Sequence, residues 1–456
     1  MRKLFLLAFI FPFITHAQYR EPAGGGSFTP GKGICITPAE KARMLNIANA
    51  NAEAINKKNK PTGGLHHKST GVTYEWPLAQ DTNFHYYCIY GVGNFVDHDT
   101  VFPGALLDYN CGARTYDLTN GYNHEGTDIF LWPFDFNMMD DERGRIVAAA
   151  PGTIIYKLDT EIDTNCIVSS AISNAVIVMH SDGYRTWYLH MKKYSLTTKN
   201  VGDTVAVGEF LGLVGSSGSS LGPHLHFEVH DPNNIVVDPF IGPCNSGTSL
   251  WTNQRAYREP GINTLMTHYM PPSFQPCPQL DSINNRDTFL PGSTIYFAPY
   301  YHDQLTGLMT NYSIIRPNNS VYSTWSHFGD TIDHDASYWY WIYTIPASEL
   351  QGAWKFRAVY EGETYEHTFY ILDPLNVANT EAEKERVYPN PAGNTIYFSG
   401  TQAGKVVISD VLGKAVLAND NFAGEQLDIS ALNTGMYFVK IINGDKISTY
   451  KISVQK

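Results

Sequence analysis

The residues best suited to chemistry lie in one stretch, Gly215-Ser216-Ser217-Gly218-Ser219-Ser220-Leu221-Gly222-Pro223-His224-Leu225-His226-Phe227-Glu228-Val229. A Gly/Ser loop runs into a segment of alternating polarity. Successive side chains on a strand point to opposite faces. His224, His226 and Glu228 therefore share one face, and Leu225, Phe227 and Val229 share the other, which reads as core. Two histidines on one face at the mouth of a loop suit metal binding or acid–base work. A polar strand face with two solvated histidines is the competing reading.

Partners lie upstream. Gly121-Tyr122-Asn123-His124-Glu125-Gly126-Thr127-Asp128 holds a histidine and a carboxylate four residues apart. Helical spacing would put them on one face, but Asn120, Gly121, Asn123 and Gly126 disfavour a helix. In a straight strand they would stand about 13 Å apart, too far to share an ion. The chain must bend between them, and Gly126 permits it. Tyr188-Leu189-His190 ends another strand. The candidates are thus His124, Asp128, His190, His224 and His226. Catalytic zinc takes three ligands from His, Asp or Glu and keeps one position for water. Three of these residues could ligate, leaving two histidines to handle the proton of an activated water. The chain has 16 histidines, and most must be ordinary. His66, His67, His85, His98, His180 and His230 read that way, although His230 shares the strand face of His226.

The elements that must position these residues are mostly strands. Pro38 to about Lys58 reads as a helix, with Thr37 as cap and Pro38 in the first turn. Residues 18–38 read as irregular. From Val72 to Phe240 short strands alternate with turn signals. Ala175–His180 and Tyr184–Leu189 flank Ser181-Asp182-Gly183, an Asp-Gly hairpin signal. Residues 246–278 are Pro-rich and read as a connector. Residues 279–373 carry strands at the spacing of an immunoglobulin-like sandwich. Residues 374–386 read as a linker, and 387–456 as a small β module whose last hairpin is marked by Asn443-Gly444. The expected class is all-β and multidomain, with a short N-terminal helix.

At 456 residues with 43% hydrophobic composition, the chain suits several folded domains. A net charge of −12 with no basic block argues against nucleic acid or anionic membrane as the main partner. Met1-Arg2-Lys3, an apolar run from Leu4 to Ile14 and Thr15-His16-Ala17 make a signal peptide over 1–17. That run is too short to span a bilayer, and no later segment approaches spanning length. The cysteines are Cys35, Cys88, Cys111, Cys166, Cys244 and Cys277. None forms a Cys-x-x-Cys pair, so a cysteine zinc site is not expected. In an exported chain their even number suggests disulfides.

The block His124-x-x-x-Asp128, His190 and His224-x-His226 resembles the lysostaphin/LytM-type zinc metallopeptidases of family M23. Ala148-Ala149-Ala150-Pro151-Gly152-Thr153 and Val237-Asp238-Pro239 add to the likeness, which covers about 72–242, within a domain expected over 72–245. It implies one zinc ion held by His124, Asp128 and His226, with His190 and His224 flanking the attacking water as catalytic residues. No His-Glu-x-x-His is present, so an imidazole must act as base. The family cleaves bacterial cell-wall peptides, often at glycine, which implies peptidoglycan peptides or Gly-rich proteins as substrates. Residues 78–120 and 133–143 exceed a minimal domain and are expected to reshape or cover the groove. Val387-Tyr388-Pro389-Asn390-Pro391, Val407–Lys414 and Gly435–Lys440 resemble the C-terminal sorting domain of type IX secretion, implying export through that machinery to the cell surface or beyond. Two other readings compete: a non-catalytic peptidase-fold binder or regulator, and an adhesin whose sandwich aromatics Trp325, Tyr338, Trp339, Tyr340 and Trp341 stack on sugars.

Overall fold

The computed structural model describes residues 18–58, 71–99, 101, 103–373, 387–398, 404–423, 426–443 and 446–456. The expected signal peptide and the 374–386 linker lie outside the described residues, as do His66, His67 and Gly444. The chain divides into two compact units, Met1–Leu372 and Asp373–Lys456.

The first unit holds a seven-stranded sheet in the order Thr204–Val205, Gly152–Leu158, Ala175–Met179, Arg185–Leu189, His224–His230, Thr127–Leu131, Tyr90–Asn94. All its pairings are antiparallel. The Asp-Gly turn joins Ala175–Met179 to Arg185–Leu189. One face of the sheet carries Val176, Val178, Tyr188, Leu225, Phe227 and Val229 into the main core. A smaller sheet of Leu78–Gln80, Gly144–Val147 and Phe210–Leu213 contributes to that core through Leu78, Ile146 and Leu211.

Helix α1, Pro38–Lys58, covers part of the other face. Thr37 Oγ1 accepts a hydrogen bond from the Glu40 N–H at 3.2 Å, satisfying a first-turn donor. Met44, Ala48 and Ala52, four residues apart and so on one side of the helix, pack against Ile155, Tyr156, Ile177 and Trp187.

A sandwich follows in the same unit. Its four-stranded sheet runs Gly261–His268, Thr294–Gln304, His334–Thr344, Gly24–Phe28; its six-stranded sheet includes Gln18–Tyr19 at one edge. The expected irregular N-terminus thus supplies an edge strand to each sheet. Gly24-Gly25-Gly26 offers no alternation to read, and backbone pairing to His334–Thr344 defines it instead. The expected connector contains the strand Gly261–His268, buried throughout. Prolines bracket it, which hides a β-branched and apolar run between them. Trp325 and Trp341 are 1% exposed and belong to the sandwich core, which removes them as a sugar-stacking platform.

The second unit packs two small antiparallel sheets around Ile396, Val406, Ile408, Val439, Ile441 and Ile452. Among the described residues no helix is long and apolar enough to cross a membrane.

Candidate active site

The sheet register brings the scattered candidates together. His226 pairs across one side with Asp128 and across the other with Leu189, directly before His190. His224 lies two residues earlier, beside the Gly/Ser loop. His190 has a left-handed backbone, φ 60°, uncommon outside glycine, where the strand breaks away. Gly126 earns its place by space: a Cβ there would stand 2.7 Å from His226 Nε2 and 2.8 Å from the Phe227 carbonyl oxygen. The bend between His124 and Asp128 brings His124 Nε2 to 3.0 Å from Asp128 Oδ2.

Each imidazole is fixed by one nitrogen. His124 Nδ1 donates to the Phe95 carbonyl at 2.7 Å, His190 Nδ1 to the Ser217 carbonyl at 2.7 Å, and His224 Nδ1 to the Gly222 carbonyl at 2.8 Å. These bonds set the tautomer and leave Nε2 as a lone-pair donor. His124 Nε2 and His190 Nε2 are buried and have no hydrogen-bond partner. His226 is turned the other way. Its Nε2 donates to Glu228 Oε1 at 2.9 Å, and its Nδ1 lies 2.8 Å from Asp128 Oδ1. Asn94 Nδ2 donates to Asp128 Oδ2 at 3.1 Å.

Burial would raise the Asp128 carboxyl, but His124 and His226 hold it well below the ordinary carboxylate range. Burial would lower His124, and Asp128 overrides it, raising the imidazole to about 9. His190 is lowered by burial and then by the nearby His224 charge.

Ligand atoms of His124, Asp128 and His226, one from each, lie within 4.8 Å of one another and of Cys35 Sγ. A second set under the same limit joins His190, His224 and Cys35. Two nitrogens and a carboxylate oxygen, with the buried His124 Nε2 left without a hydrogen bond, fit the donor set of a divalent zinc ion. His98, His180 and His230 stay outside both sets. His230 stacks on Trp187 at 4.7 Å between ring centroids and lies against Glu228.

Four participants went unread in the sequence. Glu228 was legible as sharing the face of His226, but its partnership depends on which way that ring turns. Lys41 of α1 reaches Glu228 and pairs with Glu125. Tyr116, from the long 78–120 insertion, stacks on His124 at 4.5 Å. Cys35 is the fourth: the absence of a Cys-x-x-Cys pair spoke only of local spacing, and Cys35 arrives from a distant segment to stand within the same 4.8 Å limit. Cysteine pairing is also partial: Cys111–Cys244 and Cys166–Cys277 are disulfides, while Cys35 and Cys88 are free.

Two segments of the chain match known families. Residues 123–239 match the model of peptidase family M23, and residues 386–455 match the secretion system C-terminal sorting domain. The chain is 32% identical over 163 residues to the glycyl-glycine endopeptidase ALE-1 of Staphylococcus capitis, covering 34% of this chain and 40% of that protein. It is 46% identical over 66 residues to the DD-carboxypeptidase/endopeptidase Mpg of Neisseria meningitidis serogroup B, covering 14% of each. The chain therefore spans no more than 40% of the length of either relative. The lysostaphin catalytic domain from Staphylococcus simulans aligns at 24% identity and a TM-score of 0.22, over 33% of this chain and 89% of that one. The chain thus carries an M23 metallopeptidase domain and a sorting domain of the type IX secretion system, which marks it for secretion or the cell surface.

Proposed function

We propose, for a chain that carries an M23 peptidase domain and a sorting tail, that it is a secreted zinc endopeptidase hydrolysing peptide bonds in peptidoglycan cross-links or Gly-rich peptides. The observation that carries this reading is the pair of adjoining donor sets, His124, Asp128 and His226 in one and His190 and His224 in the other, with a buried Nε2 left without a hydrogen bond in each, on His124 and on His190.

His124, Asp128 and His226 hold the ion. An ion held there would supply Lewis acidity, which lowers the pKa of water and polarises a carbonyl. Glu228 accepts the outer N–H of His226, keeping Nδ1 turned to the metal. His190 and His224, rings 4.5 Å apart, orient the attacking water, accept its proton and pass it to the leaving amine. Whichever imidazole is protonated also donates to the developing oxyanion. The substrate backbone enters beside His224, in a recess walled by Phe130, Leu221 and Pro223. The signal peptide and the sorting domain fit export across both membranes, with the enzyme acting outside the cell.

Mass spectrometry of pentaglycine and purified peptidoglycan, incubated with the zinc-loaded chain, tests the reading. Because Cys35 shares the cluster, Cys35→Ser is assayed in parallel, with His224→Ala as control. New amine termini that disappear in His224→Ala are expected. Zinc uptake with no cleavage by either active form would favour the non-catalytic binder.

A further inference from the structure

The two donor sets described above have one member in common, Cys35. Its sulfur is near both the three residues assigned to the ion and the two histidines assigned to the water. That is the position the attacking water needs. Cys35 is 4% exposed, and its Sγ lies 3.1 Å from the Tyr116 hydroxyl. The unpartnered, fully buried Nε2 atoms of His124 and His190 belong to the same two sets, an independent sign that an ion is to be shared there.

The segment bearing Cys35 is tied down on both sides. Upstream, Gly24–Phe28 pairs in register with Ala336–Tyr340 of the sandwich. Downstream, α1 starts at Pro38 and buries one side against the sheet. Between these anchors Lys32 Nζ donates to the Thr115 carbonyl at 3.0 Å, and the Tyr116 hydroxyl donates to the Gly33 carbonyl at 2.7 Å. The fit to the groove wall is close. A Cβ at position 31 would lie 2.7 Å from Leu221 Cβ, and one at position 33 would lie 2.6 Å from Val168 Cγ2.

We propose that the segment 29–37 is a built-in inhibitory arm, and that the Cys35 thiolate is the fourth zinc ligand of a latent enzyme. The inference rests on the zinc reading above. The arm walls one side of the recess beside His224 with Pro30 and Gly31, narrowing the way in, and keeps water from the ion with its sulfur. Turnover then requires the sulfur to leave the metal, so the N-terminal segment sets when the exported enzyme becomes active.

Zinc-edge X-ray absorption on the full zinc-loaded chain tests this without reference to activity. One sulfur scatterer at about 2.3 Å is expected in the natural chain and none in Cys35→Ser. Peptidoglycan hydrolysis by Cys35→Ser should exceed that of the natural chain by about tenfold or more, since the competent fraction rises towards one. Zinc bound by nitrogen and oxygen alone in the natural chain overturns the latch and leaves the peptidase standing. Failure of both proteins to take up zinc overturns the latch together with the zinc reading.

Discussion

Two buried polar clusters in the first compact unit are built on opposite plans. Around Asp303, every acceptor is used: Oδ1 takes Arg114 Nη2 at 2.6 Å and Arg258 Nη1 at 2.8 Å, and Oδ2 takes the Glu259 N–H at 3.0 Å. Arg258 also reaches Asp335 at 2.7 Å. At the far end of the same sandwich sheet, His268 spends both nitrogens, donating to the Ile283 carbonyl at 2.7 Å and accepting from the Tyr300 hydroxyl at 3.1 Å. At the site His124 and His190 spend one nitrogen and keep the other. Leaving a buried polar atom unpaired costs about 1–3 kcal/mol, so a cluster that does so repeatedly needs something to complete it. The closed cluster ties Arg114 and Arg258 to the sandwich strand Thr294–Gln304, and its buried donor without a hydrogen bond, Arg114 Nε, still lies 3.4 Å from Asp335 Oδ1. The open one is suited to hold an ion.

The contrast can be broken from either side. Asp128→Ala removes the carboxylate of the proposed ligand set and should abolish hydrolysis, by about four orders of magnitude or more, as read by product mass spectrometry. His190→Ala should keep the zinc and lose about a hundred- to ten-thousandfold in kcat, the range of a lost acid–base group. Equal zinc content in both proteins is the accompanying check. On the closed side, Asp303→Ala strands Arg114, whose side chain is 3% exposed. Denaturant unfolding should register a loss of about 3–5 kcal/mol.

His268 gives a pH test of the same contrast. Burial pushes its imidazole down from 6.5 to about 4. The unfolded chain therefore binds the extra proton first. This stabilisation is present above pH 6.5 and is lost as pH falls through about 4, an effect of about 3 kcal/mol. A His268→Gln variant should show a flatter stability profile between those limits, and an unchanged slope would remove the assignment. The smallest effect sharpens the open side. Glu228→Gln should weaken zinc about ten- to a hundredfold in a chelator competition, with the fold intact, because the carboxylate acts through His226.

What could be read from the sequence was local. The alternation of His224–Val229 assigned both faces of that strand, and Thr37-Pro38 marked the start of α1. The Asp-Gly hairpin was visible because its turn needs those residues. The reason for Gly126 was only half visible, since the space it leaves for His226 comes from a strand far along the chain. His190 was a candidate, but its left-handed backbone has no signature in residue type. Cys35 was out of reach because its place is fixed by Tyr116 and by anchors on two other elements, none of which lies beside it. The strands Gly24–Phe28 and Gly261–His268 were hidden by glycine and proline, residues that usually break strands; sheet edges accept a glycine-rich strand, and proline here only brackets the second one.

The most direct measurement counts zinc per chain by elemental analysis after dialysis, in the natural protein, His226→Ala and Asp303→Ala side by side. One zinc in the natural protein and in Asp303→Ala, with none in His226→Ala, is the predicted result. A natural protein that takes up no zinc, or a His226→Ala protein that keeps it, would contradict the account.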